Sequence, residues 1–583
     1  MPSAGANPTY NDNDYAEPTE DSPLLYNPDG LRFVPPRPID SRAGTFDSRE
    51  GETPGDGQEE DDLERQISNE SHGGTSKHYE GLPEVKKRLK FILPAVAVGI
   101  FLAAADQTII VSSYGRIGSD LGALNNTSWI ATAYFLTLTS FQPLYGKLSD
   151  IFGRKSCLLF AYVVFGIGCL FCGLARTMNE LVIARAFAGI GGGGMTTVVS
   201  IMMSDIVTLR ERGKWQGYIN IVFATGASTG APLGGILADS IGWRWVFLFQ
   251  PPLCIVAVIA VSCILKLPKR AESHWKAKLA RIDFLGALIL ISAVFLLLLG
   301  LDRGSNVCWT DRLAIISLAC SIPLFCIFVF VEIKIAAEPF APGHIIFERS
   351  LFASYICNFC AFGGYMAALF YVPLYFQVVN GDSATQAGVR LIPAIICGVS
   401  GSLFSGLYMQ RTGKFYWITI TGYSMLTLGA VVLLLFSGVA LNSIPGMIVG
   451  LCICGFGNGI GVTTSLIALI ANASHSDQAV ATACSYLFRS MGSVFGVSIA
   501  ATLVNDSLRS HLAAALGTGD EAAQLASRVR ESITFIDTLG PHLQALVRDC
   551  YAKGTQAAFG LEVALVAGAA VAAWFIREKW LSR

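Results

Sequence analysis

The sequence GKLSDIFGRK, residues 146–155, connects two apolar stretches that are each long enough to cross a bilayer. A span needs about 20 mostly apolar residues. Asp150 can interact with a facing helix N-terminus or with an arginine, and glycines permit close approach and a tight turn. The residues that carry these properties are Gly146, Asp150, Gly153, Arg154 and Lys155. We therefore predict a gate at the cytosolic end of a polytopic membrane protein.

Apolar stretches fill most of the chain on either side of this connection. Of the 583 residues, 52% are hydrophobic and 15% are charged, whereas a soluble domain carries about 25% charge. Lys and Arg cluster on the connections that follow even-numbered spans, which places both chain ends in the cytosol. The pattern predicts an all-α polytopic membrane protein with fourteen transmembrane helices, near residues 91–112, 129–148, 157–175, 181–204, 215–238, 244–265, 282–301, 314–332, 351–378, 388–408, 416–437, 445–471, 482–504 and 556–576.

The sequence gives no support to an enzyme or an ATP-driven pump. It contains no GxxxxGK[ST] loop, and the G-x-G-x-x-G pattern at Gly189, Gly191 and Gly194 lies inside an apolar span. Glycines in such a position favour close helix packing rather than a dinucleotide loop. The CxxC pairs also lie inside spans, where cysteine behaves as a small hydrophobe. We predict no catalytic residue, no cofactor and no metal site.

A weak internal repeat divides the chain. GLYMQRTGKF, residues 406–415, follows the tenth span as GKLSDIFGRK follows the second, and both have the form G-x6-G-[RK]. A repeat with the same orientation in each half is typical of transporters with two six-span bundles. We predict a disordered acidic cytosolic tail over 1–88, an N-terminal six-helix bundle over 89–265, a basic linker with two inserted helices over 266–350, a C-terminal six-helix bundle over 351–576 that includes a lumenal loop over 505–555, and a cytosolic C-terminus over 577–583.

Asp106 is the only carboxylate that we place deep inside a span. An ionisable group at membrane depth costs about 3 kcal/mol or more, so it usually faces a cavity and has a function. Arg185 in the fourth span lies at a similar depth and could pair with Asp106 until substrate or a conformational change separates them; a purely structural pair is the alternative. Arg489 in the thirteenth span has no matching acid and could bind an anionic group or bridge helix ends. We predict that these three residues couple protons to substrate.

Several segments, taken in order, resemble the major facilitator superfamily and more narrowly its fourteen-span drug:proton antiporter branch. They are DQTII in the first span, GKLSDIFGRK, RAFAGIGGG, GASTGAPLGG in the fifth span, GWRWVFLFQPP and YFQVVNGDSATQAG. The resemblance implies the major facilitator fold, with two six-helix bundles and two inserted helices. It also associates the fifth-span motif with antiport, through Gly226, Gly230, Pro232, Gly234 and Gly235, although Ala231 departs mildly from the usual pattern.

Within this branch, DQTIIVSSYGRIGSDL and the segment that follows are similar to the fungal vacuolar basic amino acid transporters. In that setting, the acidic dileucine pattern of Glu20, Leu24 and Leu25 would be a vacuolar sorting signal bound by an adaptor. N-x-[ST] sequons at Asn125, Asn126 and Asn505 lie on the predicted non-cytosolic side, where glycosylation is possible.

The resemblance and the residues together predict a proton-coupled antiporter that moves Lys, Arg and His from the cytosol into the vacuole. Its partners would be a small cationic solute, protons, the lipid bilayer and a sorting adaptor, with no nucleic acid. Two alternatives remain: a plasma-membrane exporter of drugs or other toxic compounds, and a transport-inactive nutrient sensor that signals through its tail.

Overall fold

The computed structural model describes residues 89–110, 113, 117–118, 120–121, 128–265, 283–306, 309–334, 343–382, 384–474, 477–516, 525, 528–529, 536 and 538–581. The predicted tail and the sorting residues Glu20, Leu24 and Leu25 lie outside the described residues. The sequon positions Asn125 and Asn126 lie outside them as well.

Fourteen helices among the described residues are long enough to cross a bilayer. They are α1 (Leu89–Ile109), α2 (Ser128–Phe152), α3 (Arg154–Leu174), α4 (Met178–Ile206), α5 (Leu209–Ser240), α6 (Arg244–Ile264, in two segments that meet at Phe249), α7 (Phe284–Asn306), α8 (Arg312–Lys334), α9 (Arg349–Val378), α10 (Ala384–Thr412), α11 (Tyr416–Phe436), α12 (Ile444–Asn472), α13 (Gln478–Leu516) and α14 (Pro541–Ala573). Thirteen of them are also apolar enough to span on composition alone. The remaining one, α2, has 25 residues and packs against α4, α7 and α13.

The helix ends follow local chemistry. The Thr177 side chain accepts a hydrogen bond from the Glu180 N–H at the start of α4, and the Ser443 side chain does the same for Gly446 at the start of α12. Such caps satisfy backbone donors that the first turn leaves unpaired. Gly153, with φ of 90°, is the single residue that separates α2 from α3. A positive φ is readily adopted only by glycine, so this position terminates α2 abruptly.

The helices pack as two six-helix bundles with two additional helices. In the first half, α1 packs against α5 and α6, while α2 and α3 pack against α4. In the second half, α9 packs against α13 and α14, while α10 and α11 pack against α12. The additional helices α7 and α8 pack against each other, and α7 contacts α2 and α13. The predicted fold class is confirmed.

The two halves repeat the same packing contacts. A Cβ added at Gly189 of α4 would overlap the carbonyl oxygen of Tyr134 in α2, and one added at Gly455 of α12 would overlap that of Ala394 in α10. Tyr134 and Ala394 are 260 residues apart, which is also the separation between Gly146 and Gly406. The weak sequence repeat therefore corresponds to a repeat of helix-to-helix contacts.

Two predicted connections differ from the structure. Residues 146–152 of the GKLSDIFGRK segment are helical, so that only Gly153 lies between α2 and α3. The lumenal loop predicted over 505–555 is shorter, because α13 continues to Leu516 and α14 begins at Pro541. The domain boundaries stay predictions.

Candidate functional site

Asp106 and Arg185 form an ion pair inside the first bundle. Arg185 Nη1 donates to Asp106 Oδ2 at 2.7 Å, and both side chains are almost completely buried, with exposed fractions of 1% and 0% for Arg185 and Asp106. The other carboxylate oxygen, Oδ1, accepts a hydrogen bond from Gln250 Nε2 at 3.0 Å. The site thus joins α1, α4 and α6.

Aromatic rings and a backbone carbonyl complete the surroundings of Arg185. Its guanidinium carbon lies 4.3 Å from the centre of the Tyr134 ring and 5.7 Å from that of Phe247. Its Nε donates to the carbonyl oxygen of Ile130 at 3.1 Å. A buried arginine with a carboxylate partner is neutral as a pair, whereas loss of one partner leaves an uncompensated charge that costs about 3–5 kcal/mol. Loss of the charge on either partner would therefore require a rearrangement around the other.

Gln250 is a site residue that the sequence did not single out. It lies at the start of the second segment of α6, in the GWRWVFLFQPP stretch, and is buried. Its amide also donates to the Val246 carbonyl oxygen at 3.2 Å, which fixes the orientation of the side chain toward Asp106. A single polar residue beside two prolines in an apolar span was the available signal.

The fifth-span motif packs directly on the helix that carries Asp106. A Cβ added at Gly230 would overlap the Thr108 hydroxyl and lie 2.5 Å from the Ala105 carbonyl oxygen, so α1 and α5 are in backbone contact at this level. Gly226 and Gly234 meet α1 one turn to either side. Pro232 is exposed and Gly235 is half-buried, so these two residues do not contribute to the tightest contact. Movement of α1 near Asp106 must therefore displace α5.

Arg154 is the centre of the predicted gate motif. It forms salt bridges with Asp150 at 2.8 Å and with Asp205 of α4 at 2.7 Å. Lys155 Nζ donates to the Ser262 carbonyl oxygen, near the end of α6, at 2.7 Å. These contacts connect α2, α3, α4 and α6 at the predicted cytosolic end of the first bundle.

The two bundles meet at the same end. Gly146 of α2 packs against Ala483 of α13, and Gly406 of α10 packs against Gly213 of α5. These paired contacts are related by the internal repeat, since α2 corresponds to α10 and α13 to α5. The structure thus has its predicted cytosolic end closed.

Hydrogen bonds reinforce this closure. Arg210 of α5 donates to the carbonyl oxygens of Gln410 and Arg411 at 2.5 and 2.6 Å. Unpaired carbonyls and the negative end of the helix dipole at the C-terminus of α10 attract the guanidinium. Deeper in the protein, Asn220 of α5 donates to the Ser402 hydroxyl of α10 at 2.8 Å. Opening this end requires these polar contacts to break.

Arg489 lies in the second bundle and is not brought near Asp106 or Arg185. Its guanidinium carbon is 4.0 Å from the centre of the Phe362 ring of α9 and 5.3 Å from that of Tyr486. Within the described part of the chain, its guanidinium makes no hydrogen bond and no salt bridge. The residue is half-buried, so its five N–H donors are available for a planar anion such as a carboxylate.

Glu562 corrects the expectation that Asp106 is the only deep carboxylate. It lies in α14 and is completely buried. The prediction overlooked Glu562, although this acid lies inside the Ala- and Gly-rich final span predicted over 556–576. Asn505, the remaining sequon residue, lies half-buried in α13. Among the described residues, no cluster of His, Cys, Asp or Glu could hold a metal ion.

Comparison with known proteins identifies the relatives of this architecture. A model of the Major Facilitator Superfamily matches residues 96–506. The chain is 40% identical to "Multidrug resistance protein fnx1" of Schizosaccharomyces pombe, a match that covers 82% of this chain and 90% of the relative. It is also 40% identical to "Vacuolar membrane amino acid uptake transporter fnx2" of the same yeast, over 79% of each chain. Identity to "Vacuolar basic amino acid transporter 2" of Saccharomyces cerevisiae is 35%, over 74% of this chain and 94% of the relative.

Proposed function

Because the chain belongs to the Major Facilitator Superfamily, we propose that this multi-pass membrane transporter exchanges basic amino acids for protons. It moves Lys, Arg and His from the cytosol into the vacuole as protons leave the lumen. The observation that carries the proposal is the buried Asp106–Arg185 pair on a helix that contacts the fifth-span glycine motif.

Electrostatics supports coupling between proton binding and conformation. A proton on Asp106 removes the charge that neutralises Arg185, and the buried guanidinium then needs a new partner or access to water. Either response moves α1 or α4, and α1 is in backbone contact with α5 at Gly230. The opposite end of α5 carries Arg210, which holds the closed end together. Protonation of Asp106 can therefore bias the gate without direct contact.

Arg489 is proposed to bind the α-carboxylate of the substrate. Its guanidinium has no ion-pair partner among the described residues, and a planar carboxylate fits its donor geometry. A basic amino acid offers this carboxylate, whereas a cationic drug without an acid group does not. The residue thus provides a physical reason for an amino acid cargo.

The vacuolar membrane is the proposed location. Two of the relatives carry a vacuolar function in their names, and the predicted sorting pattern of Glu20, Leu24 and Leu25 agrees with this address. An adaptor that binds this pattern and use of the sequons at Asn125, Asn126 and Asn505 belong to the same proposal.

A multidrug or toxic-compound exporter at the plasma membrane is the second candidate function. The 40% identity to a relative named as a multidrug resistance protein favours it. The same coupling through Asp106 and Arg185 would serve this cargo, so the two functions differ at the substrate site and not at the proton site.

Lysine and cadaverine, its decarboxylated analogue, separate the two functions. Uptake of each labelled compound would be measured in acidified vesicles that contain the wild-type protein, Arg489→Lys or Arg489→Gln. We expect wild-type uptake of lysine and little of cadaverine, a strong loss of lysine uptake in Arg489→Gln, and a weaker loss in Arg489→Lys, which keeps the charge but not the bidentate geometry.

Gly560→Ala is the matched control, because nothing lies within 4 Å of a Cβ at this position of α14. Equal uptake of lysine and cadaverine by the wild type, or unchanged lysine uptake by Arg489→Gln, would contradict carboxylate recognition by Arg489. Uptake of hydrophobic cations in place of lysine would support the exporter.

A further inference from the structure

Glu562 is a buried carboxyl group that the proposed mechanism does not use. Its exposed fraction is 0%. The helix rises about 16 Å between Glu562 and Ala573, where α14 ends. Its Oε1 accepts a weak hydrogen bond from the Cys454 thiol of α12 at 3.8 Å, and its Oε2 has no hydrogen-bond partner. The group is therefore near the middle of the bilayer with one of its oxygen atoms unsatisfied.

The internal repeat relates the position of Asp106 to that of Gly364. A Cβ at Gly230 would contact the carbonyl oxygen of Ala105 in α1, and one at Gly496 of α13 would contact that of Gly363 in α9. Ala105 and Gly363 are 258 residues apart. Asp106, the next residue, therefore corresponds to Gly364, whose added Cβ would lie 3.5 Å from Glu562 Cγ.

The same repeat relates Gln250 to Glu562. In the first half, an added Cβ at Gly166 of α3 would lie 3.2 Å from Cys254 Cβ in α6. In the second half, Thr427 of α11 donates a hydrogen bond to the Val566 carbonyl oxygen of α14 at 3.1 Å. Cys254 lies four residues after Gln250, and Val566 lies four residues after Glu562. Gln250, the partner of Asp106, therefore corresponds to Glu562.

The counter-cation is missing from the second copy. Gly189 of α4 contacts α2 as Gly455 of α12 contacts α10. Arg185 lies four residues before Gly189, and Leu451 lies four residues before Gly455. Leu451 therefore occupies in α12 the position that Arg185 has in α4. Leu451 is fully buried. The second half thus keeps a carboxyl group in the equivalent pocket but supplies an aliphatic side chain where the first half has a guanidinium.

The groups around Glu562 do not replace this cation. Tyr365 of α9 and Cys454 of α12 are the titratable side chains that face it, and Thr427 of α11 bonds one turn away. Arg489, on the neighbouring helix α13, stacks on Phe362 instead. No charged side chain among the described residues contacts Glu562. Burial of an ionised carboxylate without a counter-charge is far more costly than burial of the neutral acid.

We propose that Glu562 is a second proton-binding site, related to the Asp106 site by the internal repeat, at which the second half takes up and releases a proton during transport. In the conformation described, the Asp106 pocket of the first half is neutral as an ion pair, and the Glu562 pocket of the second half is neutral as a carboxylic acid. The two equivalent pockets therefore reach electrical neutrality by different means. Release of the proton from Glu562 requires a conformation that brings water or a cation to this pocket.

Infrared spectroscopy of the purified protein in lipid nanodiscs tests proton binding without the need for transport. A protonated carboxylic acid has a C=O band distinct from the bands of carboxylates. We expect a difference spectrum between wild type and Glu562→Gln at neutral pH to show this band. The substitution is nearly isosteric with the neutral acid, reproduces the Gln250 of the first half and should preserve folding. Absence of the band overturns the proposal.

The functional arm rests on the proposed antiport. The logarithm of lysine uptake would be plotted against lumenal pH for wild type, Glu562→Gln and Glu562→Asp. The slope of this plot counts the protons taken up. We expect its magnitude to be smaller by about one in Glu562→Gln than in the wild type, and to return to the wild-type value in Glu562→Asp. An unchanged steepness with the infrared band present would overturn the proposal, because Glu562 would then be permanently protonated. If the wild type moves no lysine, a band that disappears when the pH is raised still supports the proton site, and a band that is unchanged refutes it.

Discussion

Replacement of Asp106 by Asn tests the role of the buried ion pair most sharply. The asparagine keeps the shape of the side chain and can still accept a hydrogen bond from Gln250 or Arg185. It cannot neutralise the guanidinium, which is completely buried. The removal of one member of such a pair costs about 3–5 kcal/mol, so Asp106→Asn should destabilise the folded protein by that amount and abolish pH-driven uptake.

A double variant separates stability from coupling. In Asp106→Asn/Arg185→Gln, both charges are removed and two amides face each other where the 2.7 Å ion pair was. The double variant should be several kcal/mol more stable than the sum of the single substitutions implies, because no uncompensated charge remains. It should nevertheless fail to couple uptake to the pH gradient, since the proton acceptor is absent.

The assay is denaturation of the purified protein in nanodiscs, run beside uptake in vesicles with matched protein content. Additive stability effects of the two substitutions would refute the account of a mutually dependent pair. Restored stability together with retained pH-driven uptake in the double variant would show that Asp106 is structural and carries no proton.

Two further predictions concern α1, α5 and the predicted lumenal end. Gly230→Ala should reduce uptake strongly, because the new Cβ overlaps the Thr108 hydroxyl and approaches the Ala105 carbonyl oxygen. Gly388→Ala is the control and should have little effect, because no atom lies within 4 Å of a Cβ at that position. Equal uptake by both variants would contradict the role of the contact between α1 and α5. The indole N–H of Trp243 and the Arg244 guanidinium lower the pKa of Asp120. Ionised Asp120 therefore stabilises the fold fully at pH values above the ordinary aspartate pKa of about 3.9. This contribution is lost as the pH falls through the lowered pKa. Asp120→Asn should therefore be slightly less stable than wild type at pH 7 and at pH 5 alike, and the difference in thermal midpoint should disappear only below about pH 4; a difference that vanishes between pH 7 and pH 5 would contradict this.

Most of the fold could be predicted from the sequence because the bilayer imposes a strong length and hydropathy requirement on each span. The gate segment shows where this reasoning ends. The charges of Asp150 and Arg154 suggested a connecting loop, yet the backbone stays helical to Phe152 because a helix satisfies its own hydrogen bonds and Gly153 alone supplies the turn. The ends of α13 and α14 were misplaced for a similar reason, since charged residues on a helix that extends beyond the bilayer do not interrupt it.

The candidate site was only partly accessible to sequence reasoning. Asp106 and Arg185 could be selected because charge at membrane depth is costly, and their depths could be compared by helix rise. Gln250 could not be selected in this way, and Glu562 was overlooked although it lies inside the predicted fourteenth span, 556–576. Gln250 is neutral, so the cost of charge at membrane depth does not point to it. The role proposed for Glu562 depends on which side chains the repeat places beside it, and these contacts are visible only in the structure. Leu451 in place of Arg185 becomes informative only when the helix contacts of both halves are compared.

Direct measurement of coupled fluxes in proteoliposomes tests the central claim. The purified protein would be reconstituted with an acidic interior, and entry of labelled lysine would be recorded together with exit of protons. The account predicts lysine entry that accompanies proton exit, stops with a protonophore and is absent in Asp106→Asn/Arg185→Gln. Lysine entry that persists without a pH gradient, or proton exit that does not depend on lysine, would contradict it.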